Sequence, residues 1–477
     1  MEISFNRTKI IATVGPACNT EEKLWQLVQA GVDVFRLNFS HGSHEVHAEV
    51  INHIRNLNKK HGTTVSILQD LQGPKIRTGE VENNGVELKN GQKLIITTEK
   101  VIGNAERIYT SYQAMPRDVK PNDRILIDDG NLELKVIETI GHEIITEVVY
   151  GGILKSKKGI NLPNTKVSEP SLTDKDKEDL LFGLEHDVDW IALSFVRTAE
   201  DIDDIKSIIR AKGKHTKVVA KIEKPEALED IDRIIEKTDA VMVARGDLGV
   251  EIPMEDVPVA QKTIIKKCNE VAKPVIVATQ MLESMIKNPR PTRAEAGDVA
   301  NAVIDGADTV MLSAETASGN FPIESVESMV KIIASIEANV DIYNKHYQLN
   351  YDSPNFLRER LIAGMCRISD DTHAKAIVNI SKTGFVAGKI SSHRPKAPVY
   401  TFTDNKELLN QFNILWGVRP FYIDLSKFHS TDDLIATVNN MLKEKGYLKA
   451  GDLVINTASM PIDGAFRTNM MKLTIIE

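Results

Sequence analysis

Eight short runs rich in Val, Ile, Leu and Ala recur along the first two thirds of the chain, and this recurrence limits the fold more than any other feature. They occupy residues 9–14, 32–38, 65–70, 190–195, 218–223, 240–244, 274–279 and 309–313. Helix-like amphipathic stretches separate most of them, among them 21–30, 199–211, 227–237, 259–272 and 323–336. Runs that are apolar almost throughout, rather than alternating, belong to strands covered on both faces. Eight such strand–helix units predict a closed parallel (β/α)8 barrel of the TIM type rather than an open sheet. Many of the runs close on a polar residue: Asn38, Asp70, Ser194, Glu223, Thr279 and Ser313. Helix capping accounts well for Ser and Thr in that position. It accounts less well for Glu223 and Asp70, and recurrence at the same end of so many strands favours an active-site rim.

One connection breaks the rhythm. Between about Leu71 and Ser171 the helical period gives way to short alternating runs at 93–98, 124–127, 133–137 and 143–149, with turn signals at Asn83-Asn84-Gly85 and Asp128-Asp129-Gly130. A stretch of about 100 residues is enough for a small independent fold. It predicts a β-barrel lid inserted at the catalytic end, placed to exclude water. Beyond about Ile336, strand-like 376–380, 399–403, 419–423, 453–457 and 472–476 alternate with helices such as 431–443, the pattern of an open-sheet α/β unit. The expected division is 1–70 with 172–338 for the barrel, 71–171 for the lid, and 339–477 for a C-terminal α/β regulatory domain.

The densest chemical signal is Lys221, Glu223 and Asp247. Lys221 and Glu223 lie two residues apart, so a strand points both to one face. Asp247 follows the next run, in Val243-Ala244-Arg245-Gly246-Asp247-Leu248-Gly249-Val250. Two carboxylates from neighbouring strand ends hold one hard dication and leave coordination sites for substrate oxygens. An ammonium beside them stabilises charge on a phosphoryl group or an enolate. Arg36 and Asn38 share a face at another strand end, and Arg36 offers a planar fork suited to phosphate. Lys75 and Arg77 add positive charge, and Gly73-Pro74 between them and the barrel reads as a hinge or a plain tight turn. Thr279 stands at a strand-to-helix junction whose N–H groups could take a carboxylate. Ser313 and Glu315 alternate onto one face, as a rim network or a cap. Thr292 and Glu295 have capping-box spacing. His41, His44 and His47 lack the cysteine or carboxylate that would complete a zinc set, and read as the polar start of a helix.

Charge excludes one broad class. With 59 Lys and Arg against 67 Asp and Glu the net charge is −8, the wrong sign for a general nucleic-acid binder. An anionic substrate therefore needs a locally basic site. No apolar run approaches the roughly 20 residues that span a bilayer. The three scattered cysteines, Cys18, Cys268 and Cys366, fit a reducing compartment without disulfides. The expectation is a cytoplasmic protein with neither nucleic-acid nor membrane partners. No P-loop or dinucleotide fingerprint is present, so phosphates must be gripped by side chains and metal.

Taken in order, residues 8–17, 36–42, 73–79, 157–163, 221–223, 242–253, 278–285 and 311–316 resemble the pyruvate kinase family, across nearly the whole chain. The resemblance implies transfer of the phosphoryl group of phosphoenolpyruvate to ADP, giving pyruvate and ATP, the final step of glycolysis, by a homotetramer. It also implies the division of labour. Glu223 and Asp247 would bind Mg²⁺ or Mn²⁺, and Lys221 would stabilise the transferring group. Arg36 would contact the phosphate, while the backbone around Arg245, Gly246 and Asp247, with Thr279, would hold the substrate carboxylate. Asn38, His41, Arg77 and Lys158 would face the nucleotide, and Thr279 and Ser313 would serve the proton path to the enolate carbon.

Two departures from the family pattern stand out. Positions matching a K⁺ site are Asn38, Ser40, Asp70 and the carbonyl of Leu71, but Lys75 replaces a carboxylate common in K⁺-dependent members. A tethered ammonium supplies the charge K⁺ would bring, so K⁺ is expected not to be strictly required. In the C-terminal region Ser381, Lys382, Thr383 and Gly384 could wrap a phosphorylated effector at a helix start or form a plain cap. The late loop at 459–464 lacks the Trp/Arg- and Gly-rich character of members activated by fructose 1,6-bisphosphate, leaving a sugar monophosphate, AMP or no effector open. Two other readings are carried forward: a metal-enolate lyase or aldolase that uses no nucleotide, and a non-catalytic metabolite sensor on the same fold.

Overall fold

In a computed structural model of the chain, which describes residues 5–163, 165–345, 351–461 and 467–477, the eight apolar runs close into a parallel barrel. Its strands are β1 (Lys9–Thr13), β2 (Val34–Asn38), β3 (Ser66–Asp70), β4 (Trp190–Leu193), β5 (Lys217–Ile222), β6 (Ala240–Ala244), β7 (Val275–Ala278) and β8 (Thr309–Leu312). Each pairs with its successor, and β8 returns to β1 with Lys9 opposite Thr309.

Strand alternation sorts the barrel residues into two rows. Ile10, Leu37, Ile67, Val218, Val243 and Val310 face the surrounding helices. Ile11, Val34, Leu68, Ala192, Val219 and Met311 fill the interior. Two residues beyond each member of that inner row stand Thr13, Arg36, Asp70, Ser194, Lys221 and Ser313. The polar strand ends are therefore the top layer of a stacked core whose lower layers are apolar.

The helices follow their amphipathic patterns, with one interruption. The single helix expected over 227–237 is two, Pro225–Glu229 and Ile231–Lys237. Asp230 breaks it, because its carboxylate turns outward to accept from the N–H of Ala199 at 2.8 Å and caps the neighbouring helix. Among the described residues no helix is long and apolar enough to cross a membrane.

Between β3 and β4 the chain builds a six-stranded sheet, in the order Ile160–Asn161, Arg124–Ile127, Leu132–Ile140, Glu143–Tyr150, Lys93–Thr97, Arg107–Tyr109. A two-stranded ribbon of Val86–Leu88 and Gly152–Leu154 completes it. Both ladders enclose one core that includes Leu88, Leu94, Ile125, Leu134 and Leu154. Arg77 bridges to Gly159 beside one edge of the six-stranded sheet and Thr78 to Thr110 beside the other, so this segment closes the lid's barrel.

The lid's root is tightly specified. Gly73 has φ +70°, and a Cβ there would lie 2.7 Å from Phe195 Cδ2 and 2.9 Å from Ser194 Cβ. Its N–H donates to Asp176 Oδ1 at 3.1 Å. The Gly73-Pro74 pair is accordingly a packed turn against β4's end. Gly73→Ala is expected to lower stability by about 2–4 kcal/mol, from left-handed strain plus overpacking, read as a shift of the denaturant midpoint.

The C-terminal unit is an open five-stranded sheet of β9 (Ala376–Ile380), β10 (Val399–Thr403), β11 (Val418–Tyr422), β12 (Leu453–Ala458) and β13 (Met470–Ile475). Its order is β11-β10-β9-β12-β13, with only β13 antiparallel. This sheet is fastened to the strand entrances of the barrel. Arg394, buried, donates to Asp308 Oδ1 at 2.7 Å just before β8, and to the carbonyl of Gly306 at 2.6 Å. Asn410 donates to Asp189 Oδ1 at 3.1 Å just before β4 and accepts on its carbonyl from the hydroxyl of Ser66 on β3. Thr309 on β8 donates to the carbonyl of Ile414 at 3.1 Å.

Candidate active site

At the opposite, C-terminal end of the strands the top layer surrounds a cavity of about 110 Å³. Arg36, Asn38, Ser40, His41, Asp70, Leu71, Lys75, Arg77, Lys221, Glu223 and Asp247 all line it, with Ser194 and Phe195. β2, β3, β4 and β5 each contribute because their inner rows run out in this layer.

Lys221 is the hub. Its ammonium donates to Ser194 Oγ at 2.7 Å and lies 2.9 Å from Glu223 Oε1 and 3.2 Å from Asp70 Oδ1. Burial opposes its charge, yet the carboxylates of Asp70, Glu223 and Asp247 together hold its pKa above the usual lysine value. It stays protonated. Arg36 Nε donates to the second Asp70 oxygen at 2.6 Å, and its NH1 donates to Thr13 Oγ1 at 3.1 Å. Burial works against the Asp70 carboxylate, but Lys221 and then Arg36 overcome it and bring its pKa below the ordinary range. Ser194 in turn donates to the carbonyl of Leu71 at 2.7 Å.

Glu223 behaves differently. Burial raises its carboxyl pKa, Lys221 opposes, and the like charge of Asp247 raises it again; its Oε2 accepts from the N–H of Phe195 at 2.7 Å. Two carboxylates that repel across one cavity, with oxygen donors only, suit a hard dication. Asp247 sits in the first turn of the short helix Arg245–Glu251 that follows β6. Among the described residues no group of three or more His, Cys, Asp or Glu could hold a metal by itself. A dication here would take its remaining ligands from substrate or water.

The substrate-carboxylate elements lie alongside. The N–H of Gly246 donates to Thr279 Oγ1 at 2.7 Å. The Arg245 side chain turns away from the cavity. It donates to Asp298 Oδ1 at 2.7 Å and to the carbonyl of Thr279 at 2.7 Å, fixing the end of β7. Thr279 and Gln280 have φ of 70° and 54°, a costly conformation for a β-branched residue. The helix start expected after β7 is not there: an irregular turn leads to a short 3₁₀ segment, Glu283–Ile286. That turn does bind a carboxylate, but an internal one. Glu315, buried, accepts from the N–H of Leu282 at 3.1 Å and of Ser313 at 2.7 Å. Alternation of Ser313 with Glu315 fails for the same local reason, since β8 ends at Leu312 and Ala314–Ala317 is a helical turn.

A second cleft, of about 590 Å³, opens beside Arg36, Asn38 and His41 and runs over Val14, Pro16 and Val46 to Ser313. Burial, then the charges of Arg77, Lys75 and Arg36, lower the His41 pKa. Lys158 stands apart: its ammonium binds Asp128 Oδ1 within the lid at 2.7 Å. His44 pairs with Asp179 and His47 with the carbonyl of His41, so the three histidines do not converge. Thr292 and Glu295 form a reciprocal capping box. In the C-terminal unit Ser381 Oγ accepts from the N–H of Gly384 at 3.0 Å, as a local cap before the helix Phe385–Ser392. Of the late loop, Ile462, Asp463 and Gly464 lie outside the described residues.

Sequence reasoning missed the partnerships rather than the positions. The sequence marks Ser194 and Asp70 as polar strand ends of a rim, and Asp70 also as a K⁺ ligand by resemblance, while Thr13 stands only within the stretch 8–17; none of this indicates their bonds to Lys221 and Arg36. The inner-row parity of each strand was the available signal. The Lys224–Glu251 pair, 2.7 Å apart and buried, left no such signature.

A lidded barrel whose rim gathers a protonated lysine, an arginine and paired carboxylates beside a larger cleft has the equipment of a phosphotransferase. Comparison with known proteins gives the family. The profile described as "Pyruvate kinase, barrel domain" matches residues 5–326 and that described as "Pyruvate kinase, alpha/beta domain" matches 359–474. A pyruvate kinase of Geobacillus stearothermophilus is 43% identical, over 98% of this chain and 80% of its own. One of Clostridium acetobutylicum is 42% identical, over 99% and 100%. The crystal structure of a Cryptosporidium parvum pyruvate kinase superimposes with TM-score 0.92 at 38% identity, covering 99% of this chain and 96% of that one. The chain belongs to the pyruvate kinase family, and its activity is phosphoryl transfer from phosphoenolpyruvate to ADP. The lyase, aldolase and sensor readings find no support among these relatives.

Proposed function

We propose that the Lys221 cavity is the seat of this transfer and that its residues divide the work as follows. Glu223 and Asp247 hold Mg²⁺ or Mn²⁺. That ion, when bound, neutralises charge on the substrate carboxylate and enolate oxygen. Arg36, fixed by Asp70 and Thr13, grips the phosphate. Lys221 stabilises the charge that develops as the phosphoryl group departs, a reaction that needs positioning and neutralisation more than covalent help. The N–H of Gly246, now donating to Thr279, is placed to take the substrate carboxylate, with Asp247 alongside. Thr279 and Ser313 carry the proton to the enolate carbon. The larger cleft receives the nucleotide, with its apolar wall at Val14, Pro16 and Val46 and its polar end at Asn38, His41 and Arg77. Lys158 reaches it by exchanging Asp128 for a phosphate. The protein works in the cytoplasm as a homotetramer, with the Ser381–Gly384 turn as the place for a phosphorylated effector.

The observation that carries this reading is the Lys221 ammonium within 3.2 Å of both Asp70 and Glu223. A coupled assay for pyruvate formation from phosphoenolpyruvate and ADP, with and without Mg²⁺, tests it. Metal- and ADP-dependent turnover is expected; pyruvate formed without ADP would oppose it.

Lys75 bears on the monovalent cation. It lines the cavity with Asn38, Ser40, Asp70 and Leu71. Three of the four groups that would ligate K⁺ already have donors: Asn38 Oδ1 has the N–H of Ser40, Asp70 has Arg36 and Lys221, and the carbonyl of Leu71 has Ser194. Substantial activity is expected in tetramethylammonium buffer without K⁺. A near-zero rate there, rescued by K⁺, would oppose this.

A further inference from the structure

Lid and barrel rim meet across a narrow crevice of about 30 Å³ lined by both, and one buried carboxylate spans it. Glu251 Oε1 accepts from Lys224 Nζ at 2.7 Å and from Asn161 Nδ2 at 2.9 Å. Asn161 belongs to the lid strand Ile160–Asn161. Lys224 is the residue after Glu223. Glu251 closes the helix Arg245–Glu251, one turn beyond Asp247. Glu251 is 4% exposed and Lys224 9%, and Glu251 Oε2 has no hydrogen-bond partner. A charge this deep is destabilising unless well paired.

We propose that Glu251 is a positioning residue that latches the lid and couples its closure to the placement of Glu223 and Asp247. This rests on reading the Lys221 cavity as the phosphoryl-transfer site. Both segments that carry the dication ligands end on the oxygen that the lid also grips. When the lid lifts, Asn161 leaves and Glu251 keeps Lys224 alone, so the buried carboxylate draws the amide back. Arg197 acts otherwise. Its guanidinium donates to the carbonyls of Val167 and Glu169 and clasps the lid's returning chain. The Glu251 contact is a side-chain tie beyond that clasp and can be broken without unfolding either part.

The three native cysteines are buried, so thiol spin labels go selectively to exposed Lys135→Cys on the lid and Lys212→Cys on the barrel. Pulsed electron resonance then reads the lid–barrel distance in the full chain. Wild type is expected to give one narrow distance. Asn161→Ala should add a longer one and shift the closed-to-open ratio about ten- to hundredfold, the range for a hydrogen bond to a charged group. Its kcat should fall in parallel at unchanged thermal midpoint, and Asn161→Ala should add little to Glu251→Ala, which removes the acceptor, in a double-mutant cycle. A distance distribution identical to wild type in Asn161→Ala, or fully independent effects of the two substitutions, would overturn the latch. If unmodified enzyme made no pyruvate yet the distances still shifted, the reaction assignment would fall and the latch would stand.

Discussion

Lys221→Met is expected to lower kcat by about 10²–10³-fold or more, the scale for losing one preorganised charge stabiliser, in a protein that still folds. The ammonium is held by Ser194, Glu223 and Asp70 within 3.2 Å, so its position is set before substrate arrives. Methionine keeps most of its unbranched length without its charge. Removing that charge leaves Asp70 with Arg36 alone and Glu223 facing Asp247 without compensation, so Glu223 should take up a proton more readily. The variant's pH–rate profile should therefore move to higher pH on its acid limb, because the carboxylate form is needed to hold the dication. Steady-state kinetics, with kcat read at saturating Mg²⁺ and the pH profile at sub-saturating Mg²⁺, alongside far-ultraviolet circular dichroism, checks both parts. Near-normal turnover in the folded variant would remove Lys221 from the mechanism.

Asp70→Asn is expected to lower stability by about 3–5 kcal/mol near neutral pH, as when one partner of a buried ion pair is deleted. Asp70 is 1% exposed and shared between Lys221 and Arg36. Its folded pKa lies below its unfolded value, about 3.9 for a free aspartate. The stabilisation it gives is thus present above that unfolded value and is lost as pH falls through the lower folded one. Denaturant curves of wild type and variant should differ most near neutrality and converge in strong acid. Arg36 loses its anchor as well, so KM for phosphoenolpyruvate should rise. Equal midpoints for the two proteins at pH 7 would show that the pair contributes nothing.

Much of this arrangement was legible in the sequence, because burial on both faces writes long apolar runs and barrel strands need such burial. β6 matches its expected limits at Ala240 and Ala244, and each of the other barrel strands differs by one or two residues at one end or at both. Lys221 with Glu223, and Arg36 with Asn38, emerged from strand parity alone. Parity failed where the backbone left the strand, at Ser313 and Glu315, and a helix start was inferred where Thr279 and Gln280 instead take left-handed conformations. Neither departure leaves a periodic trace. Contacts between residues far apart in the chain, such as Asn161 with Glu251 across 90 positions, have no local signature at all. Lys158 was placed by likeness to relatives, and its pairing with Asp128 depends on a lid turn that likeness does not specify.

The polar bolts between the C-terminal sheet and the barrel fall on strands that also carry groups of the candidate site. Arg394, Asn410 and Ile414 hold the near ends of β3, β4 and β8, and the far ends of those same staves bear Asp70, Ser194 and Ser313. A stave of four or five residues packed on all sides transmits a push along its length instead of bending. A displacement of the C-terminal sheet would therefore load first the three strands that end at Asp70, Ser194 and Ser313.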